Sequence, residues 1–482
     1  MTSPLVLAKQ LLGILSKDSD RLERIDGYLH GRHADPYMPT TADDEYRLLA
    51  SRSVTNMCGF LVGIPAQALA VDGFRRGHGG DDETDEVDKH EVGTNAPEWS
   101  HWQESRLDAR QSAIYRGALG YGHSFTVTEL VKGKVRTKGL SALKTSAVFE
   151  DAANDETPYA ALTVVSWPGE SRPGIARLWD SKNEYPVTFP TLDDLTKVRV
   201  GAGFSHRAKE CPITRFVAAV DLEGRTVGVV EPMIALQDRI NQTVFDLLVA
   251  QTYASTKVRT VTGMAPPIQR DPETGDPVLD TSGNPIPLPI NHNAKRFLFA
   301  EDHEAKFGSL DETPLNGFIE SIDMSIRHLS AISQTPPHYL LGQIANLSAE
   351  ALQAAETSLA RKVAEFRKVF GESWERVFRL AADLMDNADS ADDFEGEVIW
   401  RDMESRSLAQ ASDALGKLAG LLDIPKRGLW HRVPGATQNE LEMWREMADA
   451  APDVVMAASL NRAAPVTPAA QPMTISDRVS LR

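Results

Sequence analysis

The stretch SQTPPHYLLGQIANLSAEAL, Ser333–Leu352, decides the fold because it separates two long helical patterns by a segment with almost no charge. The first helical pattern stops at Pro336 and Pro337, since proline removes a backbone donor and clashes with the preceding turn. Ser348 is a suitable N-cap for the second, and Glu350 would complement the dipole of its first turn. Helix connections are usually short, so a neutral connection of this length needs a functional explanation.

Apolar side chains recur at helical spacing on both sides of this connection. The pattern before it runs over Pro314–Ile332. The pattern after it predicts a helix of about nine turns, with Gly371 as a position where it could break or kink. Its apolar face comprises Leu352, Ala355, Leu359, Val363, Phe366, Phe370, Val377, Ala381 and Leu384. Residues 400–450 favour several short helices, and an Ala/Pro/Ser-rich tail predicted to be disordered follows Asn461.

A further long helix is predicted upstream, over Glu231–Ser255. Pro232 suits the first helical turn, where its missing N–H would have no partner in any case. One apolar stripe runs along this helix, formed by Leu236, Ile240, Val244 and Leu247. The following residues, 263–293, are crowded with Pro, Gly and Asp, which is typical of turns between short strands.

The first half of the chain combines helices with a β-rich region. Residues 1–75 are predicted to be mostly helical, including one helix within Arg47–Ala70, and Trp99–Leu119 is predicted to be helical again. Alternating segments rich in Val, Thr, Tyr and Phe predict strands from Tyr121 to about Val220. Residues 77–98 are polar and acidic. The predicted fold class is therefore α+β and mostly helical.

Composition narrows the class of protein. The 482 residues are too many for one hydrophobic core, so several lobes are expected. No run reaches the roughly 18 apolar residues of a membrane span, so no membrane partner is expected. Cys58 and Cys211 are single and far apart, which indicates reduced thiols in a cytosolic product. A net charge of -17 argues against tight DNA wrapping but permits DNA that is handled without being held.

Catalytic motifs are lacking. The sequence has no Walker A motif, no HExxH, no CxxC pair and no GxSxG elbow. The glycine clusters Gly117–Gly122 and Gly201–Gly203 do not stand between a strand and a helix, so they indicate turns. His101, His123 and His206 could be combined with nearby acids in a catalytic hypothesis, but structural roles are the better interpretation. We expect no catalytic residue, no metal site and no cofactor.

The acidic run DDETDEVDKHE, Asp81–Glu91, is interpreted as a solvated loop. Metal binding is the alternative, although the oxygen-ligand spacing of an EF-hand is absent. A hydrolase or nuclease that uses this run or the histidines is one competing hypothesis. Activity on DNA or esters that disappears when Asp81–Glu86 is neutralised would distinguish it.

Five segments, in this order along the chain, resemble the portal proteins of tailed bacteriophages, in the branch found in long-tailed phages of actinobacteria. They are WSHWQESRLDARQSAIYRGALGYGHSFTVTE (99–129), GRTVGVVEPMIALQDRINQTVFDLLVAQTYAS (224–255), SLDETPLNGFIESIDMSIRHLSAISQTPPHYLLG (309–342), SAEALQAAETSLARKVAEFRKVFGESWERVFRLAADLM (348–385) and IWRDMESRSLAQASDALGKLAGLLDIPKR (399–427). LQDRIN together with TPPHYLLG is the most specific part.

The resemblance implies a ring-forming portal fold with a wing, long stem helices, a small α/β clip, a tunnel loop and a helical crown. Carried onto this chain, the regions are a wing at 1–230 with the acidic loop at 77–98, stem helix 1 at 231–258, the clip at 259–307, stem helix 2 at 308–333, the tunnel loop at 334–349, a long wing helix at 350–395, the crown at 396–460 and the tail at 461–482.

The resemblance also implies partners and site residues. Portal proteins form a ring, generally a dodecamer, at one capsid vertex, through which double-stranded DNA enters and leaves. The partners would be further copies of the chain, the terminase large subunit, major capsid and scaffolding proteins, and head-completion or adaptor proteins. The location would be the virion, with host cytoplasm during assembly. The implied tunnel-loop residues are Gln334, His338, Tyr339, Gln343 and Asn346, and the implied clip contacts are Arg270, Lys295 and Arg296.

The residues agree with this function in one physical respect. An acidic ring with a neutral, amide-bearing loop would repel phosphates along most of its bore and offer only weak, exchangeable hydrogen bonds. A different virion component, such as a minor head protein, remains the other alternative, and it predicts no ring and no central channel.

Overall fold

The computed structural model describes residues 2–40, 43–76, 97–254, 259–262, 268–286, 306–309, 314–342, 349–401 and 408–450. The helices are α1 (Pro4–Leu29), α2 (Asp44–Arg52), α3 (Cys58–Gln67), α4 (Pro97–Glu104), α5 (Leu107–Tyr121), α6 (Ile234–Ala254), α7 (Asn316–Ser333), α8 (Pro337–Leu341), α9 (Ala349–Leu384), α10 (Ala388–Ala391), α11 (Leu408–Leu421), α12 (Lys426–Leu429) and α13 (Gln438–Ala450). Single 3₁₀ turns cover Leu195–Lys197, Glu231–Met233 and Trp430–Arg432.

The strands are β1 (Val71–Arg75), β2 (His123–Val131), β3 (Lys134–Leu140), β4 (Thr145–Val148), β5 (Ala160–Ser166), β6 (Gly174–Trp179), β7 (Asn183–Phe189), β8 (Arg199–Val200), β9 (Phe204–Ser205), β10 (Ile213–Val217), β11 (Arg259–Thr262), β12 (Lys306–Ser309) and β13 (Glu397–Trp400). The sheets have the orders β4-β5-β6-β7-β8, with β9 also on β7, then β10-β2-β3, β1-β13 and β11-β12. All the pairings in these sheets are antiparallel. The expected β region is confirmed.

The chain divides into two compact units. The first comprises Met1–Leu22, Gly63–Gly228 and Val363–Arg482, and the second comprises Glu23–Val62 and Val229–Lys362.

In the first unit, α1 covers one face of the six-stranded sheet. Leu7, Leu11 and Leu15 project from one side of the helix into a core with Leu162 and Leu178 of the sheet. Helical side chains three to four residues apart lie on the same face, so this repeat of leucines builds a continuous apolar layer.

A second core of the first unit is aromatic. Trp374 is fully buried, and its Nε1–H donates to the hydroxyl oxygen of Tyr115 at 2.7 Å. The ring of Trp374 also meets Trp102 and Phe216 edge-on, at centroid distances of 4.8 and 4.7 Å. Edge-to-face geometry is the favoured arrangement for aromatic pairs. This cluster joins α4, α5 and β10 to the second half of α9.

Arg376 supports the same half of α9. Its side chain is almost fully buried and donates to Thr157, to the carboxylate of Glu210 at 3.0 Å, and to the backbone carbonyls of Cys211 and Ile213. A buried charge is tolerated only when it is paired and hydrogen-bonded. The guanidinium therefore fixes two separate segments of the β region, one at Thr157 and one at 210–213, against one helix.

Several expectations from the sequence are corrected. The helix expected within Arg47–Ala70 is two helices, α2 and α3, with a break after Ser53. The long helix expected over 350–395 ends at Leu384, and it runs through Gly371 without a break. The region predicted to be the crown, 396–460, begins with strand β13, which pairs with β1 in the first hundred residues of the chain.

The proposed clip, 259–307, is only partly described. Its described residues contain the pair β11–β12 and a turn-rich hairpin at 268–286, and no helix is found among them. The part of the acidic loop at 77–96 and the tail past residue 450 lie outside the described residues.

Candidate functional site

The two helices predicted to be stem helices, α6 and α7, pack against each other in the second unit. Ile240 of α6 forms a buried apolar cluster with Ile326 and Leu329 of α7, and Leu61 of α3 joins the cluster. At the edge of this contact, the Nη2 of Arg239 lies 3.1 Å from the Nδ1 of His328. The helix predicted over Glu231–Ser255 is confirmed as the 3₁₀ turn Glu231–Met233 followed by α6, and the one over Pro314–Ile332 as α7.

Another face of α6 is polar and buried, which the sequence analysis missed. Gln237 accepts from the backbone N–H of Met57 at 2.9 Å and donates to the carbonyl of Thr55 at 2.7 Å. Asn241, one turn later, accepts from Gln237 and from the N–H of Thr55. Both amide side chains are buried. These bonds hold the segment between α2 and α3 on α6. The signal was an amide pair at i and i+4 beside the apolar stripe.

The start of the second unit is held on the same helix. The Tyr28 hydroxyl donates to the carboxylate of Asp238, and burial, reinforced by that carboxylate, raises the pKa of Tyr28 to about 12. The Tyr28 ring stacks on His33, with centroids 4.6 Å apart, and the Nδ1 of His33 lies 2.8 Å from the Nδ2 of Asn241. The motif LQDRINQ is thus a row of anchors for residues 28–57.

The predicted tunnel loop begins as a capped turn. Gln334 adopts a left-handed conformation, φ 54°, and its N–H bonds to the carbonyls at the end of α7. The N–H of Thr335 donates to the carbonyl of Ser330 at 3.1 Å, and the Ser330 hydroxyl donates to the Thr335 carbonyl at 2.6 Å. These bonds satisfy groups that a helix end leaves open. The side chain of Gln334 is exposed.

The short helix α8 follows, and its two predicted site residues, His338 and Tyr339, differ in how far they are exposed. The side chain of His338 is 8 % exposed, and its Nε2 lies 3.0 Å from the carboxylate of Glu356 on α9. Tyr339 is 40 % exposed, and burial together with Glu356 raises the pKa of its hydroxyl. His338 therefore joins α8 to α9, while Tyr339 presents part of its ring to the surface.

A lysine of α9 contacts the C-terminal end of α7. The Nζ of Lys362 donates to the carbonyl of Ser333 at 2.8 Å, where α7 ends. A cation is favourable at a helix C-terminus because unsatisfied carbonyls concentrate negative potential there. Together with the contact between His338 and Glu356, this bond ties α7, α8 and the first turns of α9 into one frame.

The remaining predicted site residues are only partly described. Arg270 is exposed in the 268–286 hairpin, and its Nη1 donates to the carbonyl of Gly275 at 3.0 Å. Gln343, Asn346, Lys295 and Arg296 lie outside the described residues. Of the proposed clip contacts, only Arg270 therefore lies within the described residues.

The histidines considered for catalysis are held in structural surroundings. Burial lowers the pKa of His101 to about 4, and its ring nitrogens lie near the Thr137 hydroxyl and the Val135 carbonyl. Burial likewise lowers the pKa of His123 to about 4. Burial lowers the pKa of His206, and its Nε2 lies 3.0 Å from the Asp180 carbonyl.

The described ranges contain no cluster of three or more His, Cys, Asp or Glu side chains that could hold a metal ion. Among the same ranges, no helix is long and apolar enough to cross a membrane.

Comparison with known families decides the identity of this arrangement. The family model described as "Phage portal protein, SPP1 Gp6-like" matches residues 8–453. The chain belongs to this phage portal protein family. The match includes α6, α7, α8 and α9, so the frame around Ser333 and Glu356 is part of a portal protein.

Two curated relatives agree with the family. The portal protein of Mycobacterium phage D29 is 26% identical over 381 residues, which cover 74% of this chain and 70% of the relative. The portal protein of Mycobacterium phage L5 is 24% identical over 385 residues, with the same coverage. The actinobacteriophage branch suggested by the sequence is confirmed.

One solved structure is also similar, a chain from a structure titled "Virion of native gene transfer agent (GTA) particle". It shares 11% identity, covers 86% of this chain and 100% of the other, and has a TM-score of 0.44. At this score the similarity adds nothing to the assignment. The family itself indicates a phage portal function, which implies a homo-oligomeric ring as a component of the capsid.

Proposed function

We propose that this portal protein forms the ring-shaped channel for double-stranded DNA at one vertex of the capsid. The ring would serve genome packaging with the terminase large subunit, attachment of head-completion or adaptor proteins, and DNA ejection. Capsid and scaffolding proteins would surround it, and assembly would take place in host cytoplasm. The observation that carries the proposal is the family match over residues 8–453, which includes the complete array of α6, α7, α8 and α9. The role is one of assembly, with no catalytic step.

Charge supports the channel. The chain carries a net charge of -17, and proteins that hold DNA tightly do so by neutralising its phosphates with basic side chains. A channel has the opposite requirement, since DNA must move through it. A ring of acidic subunits would repel the phosphates, and exposed amides such as that of Gln334 would offer only neutral contacts.

Within the proposed tunnel loop, we assign two different roles. The side chain of His338 faces Glu356 of α9, and we assign it the role of holding α8 in position. Gln334 and Tyr339 have exposed side chains and suit transient contact with DNA, and we extend that role to Gln343 and Asn346 on the basis of their neutral amides.

Deletion of Gln343–Leu347 tests the channel function. The variant is expected to assemble rings and enter capsids but to fail to package the genome, as measured by DNA protected from nuclease. A matched control replaces the same five residues with glycine and serine, which keeps the length and removes the amides and apolar side chains. Full packaging by the deletion variant would contradict the proposal.

The clip contact is tested by charge reversal. Lys295→Glu with Arg296→Glu is expected to weaken co-purification of the terminase large subunit while rings persist. Arg172→Glu, an exposed reversal in the β region of the first unit, is the matched control and should leave terminase binding unchanged. Equal terminase binding by wild type and the double reversal would remove the proposed contact.

A further inference from the structure

A mixed strip of charged and apolar side chains lies on the outer side of α2. Leu49 and Ala50 of this helix are buried against Phe245 of α6. Beside these buried residues, Glu45 and Arg52 are exposed, and Leu48 between them is 48 % exposed. Residues three or four positions apart lie on one face of a helix, so Glu45, Leu48 and Arg52 form a line. We call it the α2 strip.

A strip of the same composition lies on α7. Ile326 and Leu329 face α6, whereas Glu320 and Arg327 are exposed and Met324 between them is 51 % exposed. These residues follow i, i+4 and i+7 spacing, which again places them on one face. We call Glu320, Met324 and Arg327 the α7 strip.

The two strips cannot cover each other within one subunit. α2 packs on Phe245 of α6 and α7 packs on Ile240, and at 3.6 residues per turn these positions are about 140° apart around α6. The α7 strip lies on the side of α7 away from α6, and the α2 strip flanks the buried side of α2. No ion-pair partner for Glu45, Arg52, Glu320 or Arg327 lies within the part of the chain that the structure describes.

We propose that the α2 strip of one subunit packs on the α7 strip of the next subunit around the ring. This inference rests on the ring assembly of the proposed function. A closed ring needs two different surfaces on each subunit, one for each neighbour. The two strips provide such surfaces on one compact unit, and both leave an apolar side chain exposed at their centre.

Charge fixes the direction of this packing. In both strips the glutamate precedes the arginine by seven residues, a distance of about 10.5 Å along a helix. If the two helices run antiparallel, Glu45 meets Arg327 and Arg52 meets Glu320, while Leu48 meets Met324. Parallel packing would oppose like charges at both ends, which is unfavourable. The antiparallel arrangement places two ion pairs around a small apolar centre.

Charge exchange tests the interface. Arg327→Glu places a glutamate opposite Glu45 at every subunit contact and is expected to lower the association constant of each contact about tenfold, equivalent to about 1.4 kcal/mol per contact, so that few rings remain. Glu45→Arg should do the same by opposing Arg327. The combination of Glu45→Arg with Arg327→Glu should restore rings to within about twofold of wild type. The readout is native mass spectrometry of the full chain, with thermal melting of each variant as the folding control.

Covalent capture gives an independent readout. Leu48→Cys with Met324→Cys should yield a ladder of disulfide-linked multimers on a non-reducing gel, whereas either single cysteine should not. Cys58 and Cys211 are buried, so the background is low.

Rings at the wild-type fraction in both single charge variants, or no restoration by the double variant, would overturn the interface while leaving the portal function intact. A double-cysteine variant that assembles into rings but shows no disulfide-linked multimers on the gel would also overturn the interface. No ring from the wild-type chain, even with capsid and scaffolding proteins, would instead overturn the proposed function and the interface with it.

Discussion

The two units of this portal protein solve the problem of burial in different ways. In the first, Trp374, Tyr115 and Phe370 close an aromatic core around α9, and Arg376 ties the β region to the same helix. In the second, α6 holds residues 28–57 through polar side chains. Helix α7 of this unit keeps large apolar side chains at its surface, including Ile332, which is 60 % exposed.

The difference lies in how the buried contacts are made. The largest fully buried aromatic rings all belong to the first unit, and they are Trp102, Trp179, Trp374, Tyr115, Phe189, Phe216, Phe370 and Phe378. The second unit combines smaller apolar clusters with directional hydrogen bonds from Gln237 and Asn241. Both units expose large apolar side chains, so exposure alone does not distinguish them, and it is the spacing and charge of the α2 and α7 strips that led us to propose them as surfaces for neighbouring copies.

The largest expected effect breaks the closed core of the first unit. Trp374→Ala removes a fully buried ring and its bond to Tyr115, and should lower the free energy of unfolding by about 3–5 kcal/mol. Denaturant titration measures it. Trp430→Ala, a half-buried ring near Trp444, is the control and should cost about 1 kcal/mol. Equal losses in the two variants would show that the aromatic core is not special.

Loss of the hydrogen bonds that Gln237 makes in the second unit should lower the free energy of unfolding by a smaller amount. Gln237→Leu leaves the N–H of Met57 and the carbonyl of Thr55 without their partner and should cost about 2 kcal/mol. Hydrogen exchange at the Met57 amide should accelerate by at least about tenfold. Gln242→Leu, at a more exposed bond to Tyr37, is the matched control with a loss below about 1 kcal/mol. Unchanged exchange at Met57 would contradict the assigned role of Gln237.

The third prediction concerns the pH dependence of stability in the first unit. Burial, with Glu372 and Glu397 nearby, raises the pKa of Glu375 to about 7, against 4.5 ordinarily. The folded chain then binds more protons than the unfolded chain between these values, so stability is lost as pH rises from about 4.5 to about 7. Glu375→Gln keeps an acceptor for the N–H of Val398. It should therefore be more stable than wild type by on the order of 1–2 kcal/mol at pH 8, and equal to it at pH 4.

The control for this prediction is Glu365→Gln, because Glu365 is exposed on the same helix and does not contribute to the raised pKa of Glu375. It should change the stability little at either pH. A stability difference between Glu375→Gln and wild type that does not depend on pH would argue against a buried, protonated carboxyl at this position.

The smallest expected effect concerns the start of the proposed tunnel loop. Gln334 ends α7 in a left-handed conformation, which costs a residue with a Cβ more than it costs glycine. Gln334→Gly should raise the free energy of unfolding by about 0.5 kcal/mol, and Gln334→Ala should leave it nearly unchanged. A loss of stability in the glycine variant would show that the turn is not held in this conformation.

The long helices could be predicted from the sequence because their apolar stripes have one period and their neighbours lie close in the fold. Features that depend on distant residues could not be predicted. The break between α2 and α3 follows from the bonds that Gln237 and Asn241 make to Thr55 and Met57, and local spacing carries no trace of them. Here tertiary contacts override a helical pattern.

The strand β13 and the continuity of α9 also depend on residues that are distant in the sequence. β13 pairs with β1, more than three hundred residues earlier, so no short-range pattern could reveal its partner. Gly371 was a reasonable position for a break, but the helix packs closely against β13 there, since a Cβ on Gly371 would lie 3.5 Å from the Cγ2 of Val398. A small residue at that point suits a close helix–strand contact.

For the candidate site, the sequence indicated the neutral character of the α7–α9 connection and the presence of His338 and Tyr339. It could not indicate that His338 bonds Glu356, since the two residues are separated by the connection itself. Nor could it indicate that Lys362 reaches the end of α7 at Ser333. Both contacts need the helices to be placed before they can be seen.

The proposed function requires that copies of this chain close into a ring with a channel. Electron microscopy of the full-length protein, with native mass measured on the same sample, tests it most directly. We expect end-on views of a closed ring with a central hole and a mass equal to a fixed number of subunits. A chain that remains monomeric when capsid and scaffolding proteins are co-expressed would contradict it.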